Sequence, residues 1–288
     1  FARQPWPQRL LRNGIYMFME RRALGFTGLS DSMQANTEVQ ARKFLAQQVQ
    51  DPVLRAKLTP SYRVGCKRTL ISNNYYAALQ KPNAALVTSK IREITEHAIV
   101  TQDGQAHEVD AIVFATGFQA AEAGAPFEVR GRGGLDLNQA WRDGAEAYKG
   151  IAVAGFPNFF LLMGPNTGLG HNSMVFMIES QIQYVLDCVK QMRARGTDWV
   201  DVKPAAQRSY NQKLVERLSK TVWSTGGCVS WYQTKTGKNT TLWPGFTFEY
   251  RLRTRKFDAV NYELHKLEDR AQARRQPQPE PEALHPAE

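Results

Sequence analysis

Asp110-Ala111-Ile112-Val113-Phe114-Ala115-Thr116-Gly117-Phe118 is the stretch on which the reading of this chain turns. Five consecutive apolar residues, most of them branched or aromatic, run straight into Thr-Gly. That pattern predicts a strand buried on both faces and ended abruptly by a turn. Open α/β sheets bind ligands beyond the carboxyl ends of their strands, so Thr116 and Gly117 become candidate ligand-facing residues.

Downstream, Phe159 to Met163 reads as a second buried strand that breaks at Gly164-Pro165 into the glycine-rich loop Asn166-Thr167-Gly168-Leu169-Gly170-His171. Asn172-Ser173 supplies an N-cap for an amphipathic helix from Met174 to Arg195, closed by Gly196. Its expected apolar stripe is Ile178, Ile182, Val185, Val189 and Met192. The free N–H groups at such a helix start favour a partial negative charge. His171 reads as a loop residue lining a pocket. Beyond Gly196 come a strand at Trp199 to Val202, a helix from Ala205 to Lys220, and a loop of aromatics among glycines around Cys228, Trp231 and Gly237. Phe246 to Leu264 reads as a last strand and a short helix.

Upstream, Ala85 to Val87, Ile91 to Ile94, Ala98 to Thr101 and Val109 to Ala115 read as short strands, with Asp103-Gly104 as a hairpin turn. The first fifty or so residues are helical in pattern: Gly14 to Phe26, Thr37 to Val49, and a turn reopened by Asp51-Pro52, since proline is favoured in a first helical turn. Lys67-Arg68 beside Gly65 reads as a loop.

The chain has 288 residues, 42% hydrophobic and 22% charged, enough for one large or two small cores. No apolar run approaches the ~20 residues that cross a bilayer. The formal charge of +10 falls in short clusters without a zinc-finger or RNA-recognition pattern, so attraction to an anionic cofactor explains it better than nucleic acid. Cys66, Cys188 and Cys228 are far apart and odd in number, which predicts unpaired thiols in a reducing, cytoplasmic setting. Phe1, with no signal peptide after it, predicts a cut through a longer protein.

Taken in order, Gly65-Cys66-Lys67-Arg68, Tyr75-Tyr76, Pro82-Asn83, Ala115-Thr116-Gly117 and Gly155-Phe156-Pro157-Asn158-Phe159-Phe160 with Gly164-Pro165-Asn166 resemble the flavin-containing and Baeyer–Villiger-type flavoprotein monooxygenases. The resemblance spans most of Tyr62 to Tyr262. It implies an FAD- and NADPH-dependent enzyme that uses O₂ to oxidise a small organic molecule, either a ketone or an amine or sulfide. It makes Arg68 the active-site arginine and Lys67 a contact to NADPH. Thr116, Gly117, Gly164, Asn166, Asn172, Ser173, Met174 and Trp231 become cofactor-binding residues, Trp231 in a loop that folds over NADPH and substrate, although the Ala-Asn-Ile-Pro wording of that loop is absent here. The chemistry suits an arginine, because a flavin peroxide attacks ketones as an anion and a guanidinium can steady that charge and the developing oxyanion.

The implied fold class is α/β, the C-terminal half of a Rossmann-like flavoprotein with two dinucleotide-binding domains, a β-meander and a helical insertion. Residues 1–60 would be the insertion, 61–118 the remainder of the NADPH-binding domain with its return strand, 119–267 the C-terminal part of the FAD-binding domain with a mobile active-site loop, and 268–288 a disordered tail. The family's two glycine fingerprints and its Phe-x-Gly-x-x-x-His-x-x-x-Trp/Pro fingerprint are absent from the sequence. The implied partner is therefore an N-terminal half of the same protein, without which FAD would bind weakly. Two alternatives stay open: a pyridine-nucleotide flavoprotein reductase relative, which needs a redox-active cysteine pair, and a non-catalytic basic binding module.

Overall fold

A computed structural model describes residues 5–122 and 124–267; the expected tail at 268–288 lies outside them. In chain order the elements are α1 (Pro5–Glu20), α2 (Ala23–Phe26), α3 (Asp31–Gln48), α4 (Pro52–Leu58), α5 (Tyr75–Leu79), β1 (Ile91–Ile94), β2 (Ala98–Thr101), β3 (Ala106–Glu108), α6 (Leu137–Ala140), α7 (Met174–Arg195), β4 (Trp199–Val202), α8 (Pro204–Leu218), α9 (Val222–Thr225), α10 (Thr247–Arg253) and β5 (Tyr262–His265). They divide into two compact units interleaved along the chain: residues 5–20, 124–217 and 240–267 form one, and 21–122 with 218–239 the other. Among the described residues no helix is long and apolar enough to cross a membrane.

The first unit is organised on α7. Its bounds follow from its ends, with Ser173 in the N-cap position and Gly196 closing it at φ 61°, ψ 39°. The buried stripe differs from the expected one: it runs through Met177, Gln181, Tyr184 and Cys188, while Ile182 is 41% exposed. Two polar residues sit inside because their side chains are satisfied there. Gln181 accepts from the Met163 N–H (2.9 Å) and donates to the Tyr250 hydroxyl (3.1 Å), and Ser180 donates to the Phe176 carbonyl (2.7 Å). Tyr184 and Cys188 pack on Val200 and Val202 of β4 and Tyr262 of β5, which pair antiparallel from Trp199–His265 to Val202–Tyr262. The expected strand at Phe159 to Met163 is replaced by irregular chain with one bridge, Ala152–Phe160, because Met163 turns into the left-handed region at φ 63° and ends any ladder.

A carboxylate sits at the edge of this core. Asp258 accepts from the hydroxyls of Tyr148 and Tyr184 and from the Asn261 amide (2.8 Å), and pairs with Lys149 at 3.0 Å. Burial pushes its pKa up, but the two tyrosine hydrogen bonds and the Lys149 charge outweigh that, and the net shift is downward.

In the second unit β1, β2 and β3 form an antiparallel sheet in sequence order, and Asp103-Gly104 makes the turn into β3, with Gly104 at φ 84°. Asp51 caps α4 through the Val53 and Leu54 N–H groups, with Pro52 in the first turn. Two expected strands are absent. Ala85 to Val87 pairs with nothing, and the chain from Ala111 to Phe118 is irregular and exposed, with Val113 88%, Phe114 73% and Phe118 91% accessible. The sheet ends at β3, and no strand among the described residues lies beside this stretch. A buried strand needs partners for its backbone polar groups, and without them those groups turn to water and take the apolar side chains with them.

Asp258→Asn is expected to lower the unfolding free energy by roughly 2–4 kcal/mol, through the lost Lys149 pair and a mispaired tyrosine hydroxyl. Because the folded pKa of Asp258 lies below its unfolded one, the difference between the proteins should be full above about pH 4 and fade as acid titrates the carboxylate. Urea unfolding of both proteins between pH 3 and 7 measures this; a constant difference across that range would contradict it.

Candidate functional site

The residues singled out in the sequence fall into both units. Lys67, Arg68, Thr116, Gly117 and Trp231 belong to the three-stranded unit, and Gly164, Asn166, Asn172, Ser173 and Met174 to the α7 unit.

In the three-stranded unit the Arg68 segment is fixed at two points. Cys66, fully buried, is joined to Cys228 in a disulfide with a Cα–Cα distance of 6.1 Å, and the Arg63 N–H donates to the Gly226 carbonyl (2.9 Å). This corrects the reading of three unpaired thiols. The partners stand 162 residues apart in sequence, so no local spacing announces them, and Cys188 alone remains free and buried. Gly65 has φ +86°, and an added Cβ would run into the Phe26 ring, so the turn into Cys66 requires glycine.

The disulfide brings Arg68 to the aromatic pair of the 226–239 loop. Arg68 is exposed, and its guanidinium charge neighbours the phenol of Tyr232, which is itself 1% exposed. Burial pushes the Tyr232 phenol up, and the neighbouring Arg68 charge partly offsets it. Trp231, 44% exposed, leans on Tyr232 with ring centroids 4.6 Å apart. Lys67 points outward with its ammonium 4.9 Å over the Tyr62 ring. The loop is tied back by Gln233 donating to the Trp223 carbonyl (2.9 Å) and by the Lys235 N–H donating to Glu122 (2.9 Å). Thr116 and Gly117 are not joined to this cluster: they lie in exposed irregular chain, and Gly117, at φ +88°, has open space where a Cβ would be.

In the α7 unit the Gly164–Ser173 loop is held by its own polar groups and by backbone hydrogen bonds to 240–243. An added Cβ on Gly164 would collide with the Gly150 carbonyl. Asn166, at φ 56° and 6% exposed, gives its backbone N–H to Thr240 (2.8 Å) and its side-chain amide to Leu242 (3.2 Å), so its side chain points inward. Gly168 bridges Leu242 in parallel. Ser173 stands exposed at the start of α7 and makes no side-chain cap, contrary to the expectation that it would; its N–H is taken instead by Asn172 Oδ1 (2.8 Å). The first turn of a 22-residue helix therefore keeps backbone donors that no side chain caps, a fit for an electron-rich ring edge.

His171 lies in the loop, as read from the sequence, and is 4% exposed with Nε2 3.7 Å from Glu20. Glu20 is the residue that sequence reasoning missed. Burial raises its pKa, but hydrogen bonds from His171, Asn172 and Thr247 outweigh burial and hold it below the usual carboxylate value. Nothing in the sequence connects a helix end at position 20 with a loop 152 residues on.

Thiol labelling of the denatured, unreduced protein should find one cysteine, and three after reduction. Cys228→Ser should destabilise the protein by about 2–5 kcal/mol and speed proteolysis within 226–239. Three reactive thiols without reductant would contradict the cross-link.

No protein-family model matches the sequence. It is 50% identical over 92% of its length to a Baeyer–Villiger monooxygenase of Pseudomonas aeruginosa, covering 50% of that protein. It is 42% identical over 90% of its length to a Baeyer–Villiger monooxygenase of Streptomyces coelicolor, again covering 50%. Among solved structures it matches the cyclohexanone monooxygenase of Rhodococcus sp. Phi1 bound to NADP⁺ with a TM-score of 0.70 and 29% identity, over 82% of this chain and 46% of that one. OTEMO in complex with FAD and NADP gives a TM-score of 0.70 at 28% identity, over 82% and 45%. The chain thus spans about half the length of the relatives it matches. Its sequence and its fold are thus similar to part of the Baeyer–Villiger monooxygenases.

Proposed function

We propose that this chain is the C-terminal half of an FAD- and NADPH-dependent monooxygenase that inserts one atom of O₂ into a ketone. The observation that carries this reading is the Arg68–Tyr232–Trp231 cluster, a fixed positive charge beside exposed aromatic surface, tethered by a disulfide. The names of the relatives support the reaction, and the FAD and NADP in the solved neighbours support the cofactors.

When bound, FAD reduced by NADPH supplies the activation of O₂. In the α7 unit the residues that would hold it are Gly164, Asn166, Asn172, Ser173 and Met174, around the helix start; in the three-stranded unit Thr116 and Gly117 would be cofactor-binding, with open space at Gly117. Lys67 and Trp231 would meet the nicotinamide nucleotide. Arg68 would contribute a cation that stays charged at working pH, stabilising negative charge on the oxygen being transferred and on the ketone oxygen as attack proceeds. The exposed aromatic face of Trp231 would help to exclude water from a small apolar substrate.

The domain division goes with this reading: 1–60 as a helical insertion, 61–118 as the end of the NADPH-binding domain, 119–267 as the end of the FAD-binding domain, and an N-terminal half of the same protein as partner. A cytoplasmic setting goes with this reading through the use of NADPH alone, since the Cys66–Cys228 disulfide removes the argument from unpaired thiols.

Arg68→Ala in the intact protein should cut ketone oxygenation by about 10²–10³-fold while NADPH oxidation continues. The measurement is ester or lactone yield per NADPH, with ¹⁸O₂ as the label. Unchanged ketone yield would overturn the role of Arg68. Loss of ketone products with retained sulfide oxidation would confirm that Arg68 serves the nucleophilic reaction.

A further inference from the structure

Glu20 ends α1 and is 4% exposed, a place where a carboxylate is costly unless every lone pair is used. One oxygen accepts from the backbone N–H of Thr247 (2.5 Å) and Phe248 (3.4 Å), at the start of α10. The other accepts from the Thr247 hydroxyl (2.9 Å) and from the Asn172 amide (2.5 Å), with His171 Nε2 3.7 Å away. Because the NH₂ of Asn172 is committed to Glu20, its carbonyl oxygen must face the other way, where it accepts the Ser173 N–H (2.8 Å). One carboxylate thereby sets the orientation of Asn172 and, through it, the backbone at the start of α7.

The rest of α1 reinforces this contact. Tyr16, one turn earlier, stacks on Phe176 of the first turn of α7 with centroids 5.0 Å apart and hydrogen-bonds the Thr247 hydroxyl (2.9 Å). Arg251 covers Phe176 at 4.9 Å, and Arg12 pairs with Glu179 at 3.3 Å. Meanwhile Leu10, Leu11 and Ile15 are each more than half exposed, so hydrophobic burial is not what seats this helix. It is attached by polar and aromatic contacts directed at the starts of α7 and α10.

We propose that Glu20 is a positioning residue for FAD: it acts through Asn172 and His171 to hold the loop and the α7 start in the geometry that receives the flavin edge. This rests on the reading of that loop as flavin-facing. A residue serving only to cap α10 would need to satisfy Thr247 and Phe248. Glu20 also fixes the polarity of Asn172, and that is the feature a test can isolate.

Glu20→Gln separates the two roles, because a glutamine oxygen still accepts from Thr247 while its NH₂ faces the Asn172 donor and forces that amide to turn. In the intact protein Glu20→Gln should bind FAD about tenfold more weakly, and the visible absorption band of the bound flavin should shift. Asn172→Ala should do the same, and the double variant should be no worse than either single one. In the apo protein, amide exchange at Ser173 to Met177 should speed up in Glu20→Gln while exchange at Ile99 and Val100 stays unchanged. Wild-type FAD affinity and spectrum in Glu20→Gln would overturn the proposal, and so would unchanged exchange at Ser173. Failure of the wild-type protein to bind FAD would overturn the flavin reading itself, a result distinct from both.

Discussion

An irregular loop between a buried core and the start of a long helix has only a short backbone pairing with 240–243, and the α7 unit depends on side chains that supply the remaining partners. Gln181 takes the Met163 N–H, Asn166 reaches Leu242, and Glu20 and Asn172 together hold the Ser173 N–H. Each of these polar groups is buried or half-buried, so leaving any one unmatched would cost about 1–3 kcal/mol. The loop is therefore rigid for a physical reason. Backbone N–H groups that no side chain caps at the first turn of α7 suit a partial negative charge.

The three-stranded unit solves a different problem by a different means. Its Arg68 is exposed and stands two residues from the Cys66–Cys228 disulfide, with the buried Tyr232 beside it. In each unit an exposed candidate residue, Arg68 in one and Ser173 in the other, stands near a buried polar side chain, Tyr232 and Glu20.

Local signals in the sequence were legible where local physics decides the outcome. Gly196 and the turn Asp103-Gly104 need left-handed backbone, and Asp51-Pro52 starts a helix, so α7, the β2–β3 turn and α4 stand where the residues predict them. Expectations failed where a partner distant in sequence decides. The strand read at Ala111 to Ala115 has no neighbour to pair with, and its apolar side chains face water. Hydropathy placed the inner face of α7 one residue out, because it counts Gln181 as polar and cannot see Tyr250 and Met163 waiting for it. In the candidate site, Arg68, Lys67, the Thr116-Gly117 turn and the Gly164 loop were visible as residue patterns. Glu20 and the Cys66–Cys228 pair were not, since each acts across more than 150 residues of chain.

The proposed function gives Arg68 and the start of α7 each a part in an FAD-dependent oxygenation. The visible absorption spectrum of the intact protein, recorded before and after NADPH is added in air, tests it most directly. The account predicts a yellow protein whose flavin bands bleach on adding NADPH and return slowly, with little hydrogen peroxide released. A colourless protein, or a bound flavin that ignores NADPH, would contradict it and leave the two sets of residues as inherited scaffold.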